Sequence, residues 1–169
     1  MTYIAANMRE ADRREIGAVI AEPPTVIACM MFEASAGFRW CAYLDGQPVA
    51  AFGVATLFHG LGSGWAFMTP GGRAAMPVVT KFCLRRVKPM LIRAGYRRLE
   101  VRTEVDHDLS HRWLEHLGFV REGLAVDYGA GGIDFVTYAA THKSAVRVIR
   151  NASKRTFAHA GQTEQALEG

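Results

Sequence analysis

Three histidines, His107, His111 and His116, fall within ten residues of one another, and Glu104 lies just ahead of them. A histidine titrates near neutrality, so His107, where a strand gives way to a helix, has the chemistry of a proton donor or acceptor. Its plainer reading is a polar helix-start residue in solvent. His107 and His111 are one helical turn apart, but two histidines at that spacing without further ligands do not make a zinc site, and no metal is expected. Upstream, Pro70-Gly71-Gly72-Arg73 precedes an apolar and basic helix. Free N–H groups and the positive end of a helix attract phosphate, and glycine lets the backbone come close. Gly71 and Gly72 read equally as a turn after Pro70, and Arg73 as an exposed loop arginine. Neither a Ser-His-Asp pattern nor a P-loop is present. Cys29, Cys41 and Cys83 are odd in number and lack CxxC spacing, which reads as reduced thiols in a cytoplasmic protein.

The elements that must position these groups belong to a chain of 169 residues, half hydrophobic and 21% charged. That mix can bury a core and excludes a disordered or collagen-like chain. The longest apolar runs, such as Ala50–Val54 with its flanks, are too short to span a bilayer, so no membrane partner is expected. Arg9, Glu10 and Asp12 come too early for a secretory leader. The net charge of +4 is unevenly placed: residues 1–140 carry 15 Lys/Arg against 14 Asp/Glu, and residues 141–169 carry 5 against 2. A second basic cluster runs from Lys81 to Arg102, with eight cations against Glu100. The expected organisation is a body over residues 1–141 and a basic extension over 142–169. Self-association or an acidic partner suits that extension better than nucleic acid, because no aromatic stacking platform accompanies its charge.

Periodicity predicts a strand over Thr2–Met8 and a helix over Glu10–Glu22 with Ile16, Val19 and Ile20 inward. Pro23-Pro24 stops that helix, and a second runs from Thr25 to Phe32. Phe38–Leu44 and Pro48–Leu57 flank Asp45-Gly46, the pair a tight hairpin turn favours. A glycine-rich link, Gly60–Gly64, leads to a strand Trp65–Thr69. A long helix follows, starting between Arg73 and Pro77, with Val78, Val79, Phe82, Cys83 and Val87 inward and Lys81, Arg85, Arg86 and Lys88 outward. Pro89 should kink or end it, with Gly95 as the stop. A strand Arg97–Val105, a short helix His107–Leu117 and a hairpin of Phe119–Tyr128 with Ile133–Ala140 complete the body. Lys143–Phe157 reads as a basic terminal helix.

The segment from Leu99 through Glu104, His107 and Trp113 to Leu117-Gly118-Phe119-Val120-Arg121-Glu122-Gly123 resembles the GNAT acyltransferase superfamily, where a strand enters a short helix ending Leu-Gly-Phe. It is similar also to the small GNAT-like proteins of tailed bacteriophages, notably in Gly64-Trp65-Ala66-Phe67-Met68-Thr69, which implies a phage protein made in a bacterial host. The resemblance implies an α/β (α+β) fold with a mixed, mainly antiparallel twisted sheet of about seven strands and about four helices. It implies parallel pairing only between Trp65–Thr69 and Leu99–Val105, which splay to admit acetyl-CoA. Phe67, Met68 and Thr69 would hold the pantetheine arm through backbone amides, and Gly71, Gly72 and Arg73 the pyrophosphate. An amine, on a small molecule or a protein, would then attack the thioester, with Glu104 as base through water and His107 as acid.

The sequence departs from that family at identifiable places. The pyrophosphate loop, usually Gln/Arg-Gly-x-Gly-x-Gly/Ala, aligns with Gly71–Met76 and keeps one glycine, while Pro77 removes an amide. Leu114 stands where many members carry a tyrosine acid, and His107 where an asparagine is common. His59 is a candidate for facing the acceptor pocket, and Trp65 and Phe67 for walling the acyl site. The alternative is a GNAT-fold binding or structural protein without efficient catalysis.

Overall fold

The computed structural model describes residues 1–35 and 37–141. The expected terminal helix Lys143–Phe157 and the separate extension 142–169 lie outside the described residues. Six strands form one mixed sheet: β1 (Arg39–Leu44), β2 (Gln47–Phe58), β3 (Leu61–Met68), β4 (Arg98–Glu104), β5 (Val120–Gly129) and β6 (Ile133–Thr141). Their spatial order is β1-β2-β3-β4-β6-β5, antiparallel throughout except between β3 and β4.

The seventh, N-terminal strand is absent among the described residues. Thr2–Ala6 is instead a helix, α1, which buries Ile4 and Ala5 against Met8, Ile16, Ile27 and Ala28. Burial at 4, 5 and 8 is a helical spacing, and it overrides the local preference for an extended chain. Helix α2 (Glu10–Gly17) stops before two of the three residues expected on its inner face, so Ile16 is buried while Val19 and Ile20 are exposed. Helix α3 (Pro24–Ala34) opens on the second proline, which suits a first turn because the missing N–H would have been unpaired there. These three helices cover one face of the sheet, with Ala51, Trp65 and Phe67 pointing into their core.

The opposite face is covered by one helical column and by α6 (Asp108–His116). The column begins as a 3₁₀ turn, Pro70–Ala75, continues as α4 (Met76–Phe82), widens into a π turn over Cys83–Val87 and ends as α5 (Lys88–Arg93). Counting it once, the described residues hold five helical bodies rather than about four. Val79, Val87 and Leu91 are buried against Phe52, Val54 and Tyr96, whereas Val78, expected inward, is exposed. Pro89 neither ends nor breaks the column. The amide of Lys88 reaches back five residues to the carbonyl of Cys83, and that wider turn makes room for a ring that would strike the Arg85 carbonyl in an α-helix. Gly95, at φ +86°, then terminates it as expected. No helix among the described residues is long and apolar enough to cross a membrane.

Candidate functional site

Strands β3 and β4 are adjacent and parallel, but they pair only at Leu61–Arg98, Gly62–Leu99 and Ser63–Glu100. The parallel contact therefore lies in the stretch expected to be a glycine-rich link, not at Trp65–Thr69. Glycine is needed there for space: a Cβ on Gly62 would stand 2.5 Å from Val54 Cγ1 and 2.9 Å from Tyr96 Cε1. Beyond Ser63 each strand keeps only its outer neighbour, Trp65–Met68 pairing with β2 and Val101–Glu104 with β6. A wedge opens between them. It leads into a cavity of about 940 Å³ bounded by both helical layers, with Glu15, Trp65, Phe67, Arg73, His107 and Leu114 among its walls.

Chain-internal contacts hold the wedge open. The Thr69 amide donates to Val49 O at 2.9 Å, so alternation turns the amides of Met68 and Ala66 toward the gap. Met68 N–H donates there to Asp12 Oδ2 at 2.9 Å, and its carbonyl accepts from Arg9 N–H at 2.9 Å. The first turn of α2 thus takes the place of a strand at this end of β3. Asp12 is only 6% exposed and is also clasped by the Arg9 guanidinium. One register lower, the Ala66 amide has no strand opposite it.

The residues expected to bind a phosphate-bearing ligand separate into two groups. Phe67 is buried and stacked on Trp65, with ring centroids 5.2 Å apart, and both rings wall the cavity as well as the core. Met68 and Thr69 have their amides engaged by Asp12 and Val49. Gly72 is buried, its amide donates to Thr69 O at 2.9 Å, and a Cβ there would lie 2.6 Å from Val49 O. Gly72 is thus a packing glycine. Gly71 and Arg73 are exposed, and Arg73 reaches the cavity. The 3₁₀ winding, Pro70 and Pro77 together leave fewer free amides than an open loop would offer.

At the far end of β4 the proton-handling candidates meet α2. Glu104 is 5% exposed, not solvent-facing, and Arg14 grips it at 2.9 Å through Nε and 2.8 Å through Nη2. His107 Nδ1 lies 2.7 Å from Glu15 Oε2, which also accepts from Thr103 Oγ1 at 2.9 Å. Leu114 is buried against Val136 and Tyr138 and carries no proton. His111 is tied between Tyr138 Oη at 3.1 Å and Val105 O at 2.9 Å. Burial, with the Glu115 charge adding, holds the Tyr138 phenol above its ordinary pKa. His59 is exposed on the β2–β3 turn and does not line the cavity. Sequence reasoning missed Asp12, Arg14 and Glu15. Asp12 leaves a trace only as an acidic residue in the first turn of a helix, a pattern the helix dipole explains without any site, and Arg14 and Glu15 carry no local signal.

No family profile and no curated protein matches the chain. Solved structures do match. A GNAT superfamily phosphinothricin acetyltransferase from Sinorhizobium meliloti, in complex with acetyl-CoA, aligns with TM-score 0.64 and 16% identity over 82% of this chain and 81% of its own. An N-acetyltransferase from Staphylococcus aureus Mu50 gives 0.64 and 11% over 83% and 90%, and a ribosomal-protein-alanine N-acetyltransferase from Brucella melitensis 0.59 and 14% over 81% and 90%. At these identities the likeness is one of architecture: the described body has the fold of GNAT-superfamily acetyltransferases.

Proposed function

We propose that the protein is an acyl-CoA-dependent N-acetyltransferase that moves the acetyl group of acetyl-CoA to an amine on a small molecule or a protein. The observation that carries this reading is the divergence of β3 from β4 past Ser63 and Glu100, which opens a parallel pair into the cavity. In that wedge the Ala66 amide would take the place of a strand partner for the pantetheine arm, and Arg73 with the Gly71 amide would meet the pyrophosphate. Phe67 would wall the acyl end. Met68, Thr69 and Gly72 contribute by shaping the wedge, since their amides are already engaged. Acetyl-CoA supplies the activated acyl group; the chain supplies orientation and, at the end of β4, proton chemistry centred on His107, beside the Glu104–Arg14 pair. We further propose that residues 142–169 associate with a second copy or an acidic partner.

Calorimetric titration with acetyl-CoA, followed by thiol release in the presence of an amine panel, tests the reading. Arg73→Glu should weaken acetyl-CoA about ten-fold or more, since charge-assisted hydrogen bonds contribute roughly 1.5–3 kcal/mol. A second reading has its own observation, the 3₁₀ turn that consumes the Gly72 amide between two prolines. It makes the chain a binding protein on this fold without turnover. Absence of a heat signal at millimolar acetyl-CoA favours it.

A further inference from the structure

Glu15 stands on α2, yet its carboxylate meets Thr103, whose side chain shares a sheet face with Leu99 and Val101, and those two pack toward the opposite helical layer. The carboxylate therefore sits at the wedge itself. There Oε2 holds His107 Nδ1 at 2.7 Å. A carboxylate only accepts, so the ring must present its proton at Nδ1. That leaves Nε2 as the open lone pair, without a partner among the described residues, on a ring that lines the cavity. We propose that Glu15 is a positioning residue which fixes this tautomer and ring setting, so that His107 Nε2 takes the proton from the attacking amine. The inference rests on the acetyl-transfer reading above.

The step balances. The amine nitrogen forms a bond to the acyl carbon and yields its proton to Nε2. The C–S bond breaks with its electron pair on sulfur, and the imidazolium returns the proton to that sulfur. Glu104 serves differently, because both its oxygens are taken by Arg14 and protonating it would dissolve that pair. It anchors α2, and with it Glu15, against β4. The remaining titratable neighbours are Asp106 and Asp108 beside His107 and His111 one turn along α6, the last tied to Tyr138 and Val105.

The test is imidazole ¹⁵N NMR on the full chain, alongside steady-state acetyl transfer. In the wild type His107 should show the Nδ1–H tautomer, and Glu15→Gln should convert it toward the Nε2–H form. In the same variant kcat should fall about ten- to a hundred-fold, short of the full 10²–10⁴-fold worth of a positioned base, with KM for acetyl-CoA unchanged. Glu15→Asp should recover part of both signals, which a loss of folding would not. An Nε2–H tautomer in the wild type, a measurement needing no variant, overturns the proposal. So does an unchanged kcat in Glu15→Gln. If the wild type acetylates no amine, the transfer reading fails and the base role with it, while the tautomer still decides whether Glu15 sets the ring.

Discussion

Replacing Asp12 by alanine separates the end of β3 from the helix that holds it. The carboxylate accepts the Met68 amide at 2.9 Å in a site where Asp12 is 6% exposed. Its removal leaves a buried N–H without a partner, a cost of about 1–3 kcal/mol. The Arg9 fork is lost as well, and since Arg9 is partly exposed this adds about 0–1 kcal/mol. The total of about 1–4 kcal/mol corresponds to roughly 2–16 °C in melting temperature for a domain of this size. Asp12→Asn keeps an acceptor for Met68 and gives up the charge, so it should cost about 1 kcal/mol. Urea melts measure the difference, and native-state hydrogen exchange locates it: the Met68 amide should exchange faster in the alanine variant and stay protected in the asparagine one. Equal destabilisation by both substitutions, or a Met68 amide equally slow in both, would refute the idea that this carboxylate stands in for a strand.

Gly72→Ala should destabilise by about 1–3 kcal/mol, read from the denaturation midpoint, because overpacking against the Val49 carbonyl and Met68 Cβ forces the backbone to move. Burial pushes the Cys83 thiol up to about 11; iodoacetamide at pH 8 should therefore label it slowly in the native protein and quickly in denaturant. The Arg98 guanidinium holds the Glu122 carboxyl below its ordinary value of 4.5. A carboxyl lowered by folding stabilises fully above its unfolded pKa and loses that contribution as pH falls through the folded value. Acid melts should therefore show Arg98→Met approaching the wild type below pH 4.5, with a modest gap above it because Glu122 is 42% exposed.

The parts of the fold that local chemistry determines were readable in the chain. Asp45-Gly46 marks its hairpin because positive φ at both positions is a local demand, and Gly118 ends α6 for the same kind of reason. Where tertiary contact decides, the reading failed. Thr2–Met8 reads locally as extended, and Thr2–Ala6 becomes helical because Ile4 and Ala5 pack, with Met8, against α3. Gly62 and Gly64 read as a link because a glycine's need for space comes from Tyr96, Leu99 and Val101, more than thirty residues on. The site divides in the same way. Glu104 and His107 are legible by type and place, but their partners Arg14 and Glu15 lie about ninety residues away. Nothing near α2 announces them.

The π turn at Cys83–Val87 has a consequence for the ancestry of the chain. One residue fewer there would make the column an ordinary α-helix, turning everything after it by about 100° and drawing it back about 1.5 Å. Leu91, 3% exposed, would leave the core, and Pro89 would meet the carbonyl it now avoids. The proline therefore depends on the extra residue, while the extra residue does not depend on the proline. A lineage could lose the proline freely, but shedding the inserted residue while keeping Pro89 should be forbidden. Relatives of this chain are then expected to show the two together, or the insertion alone, and never the proline alone.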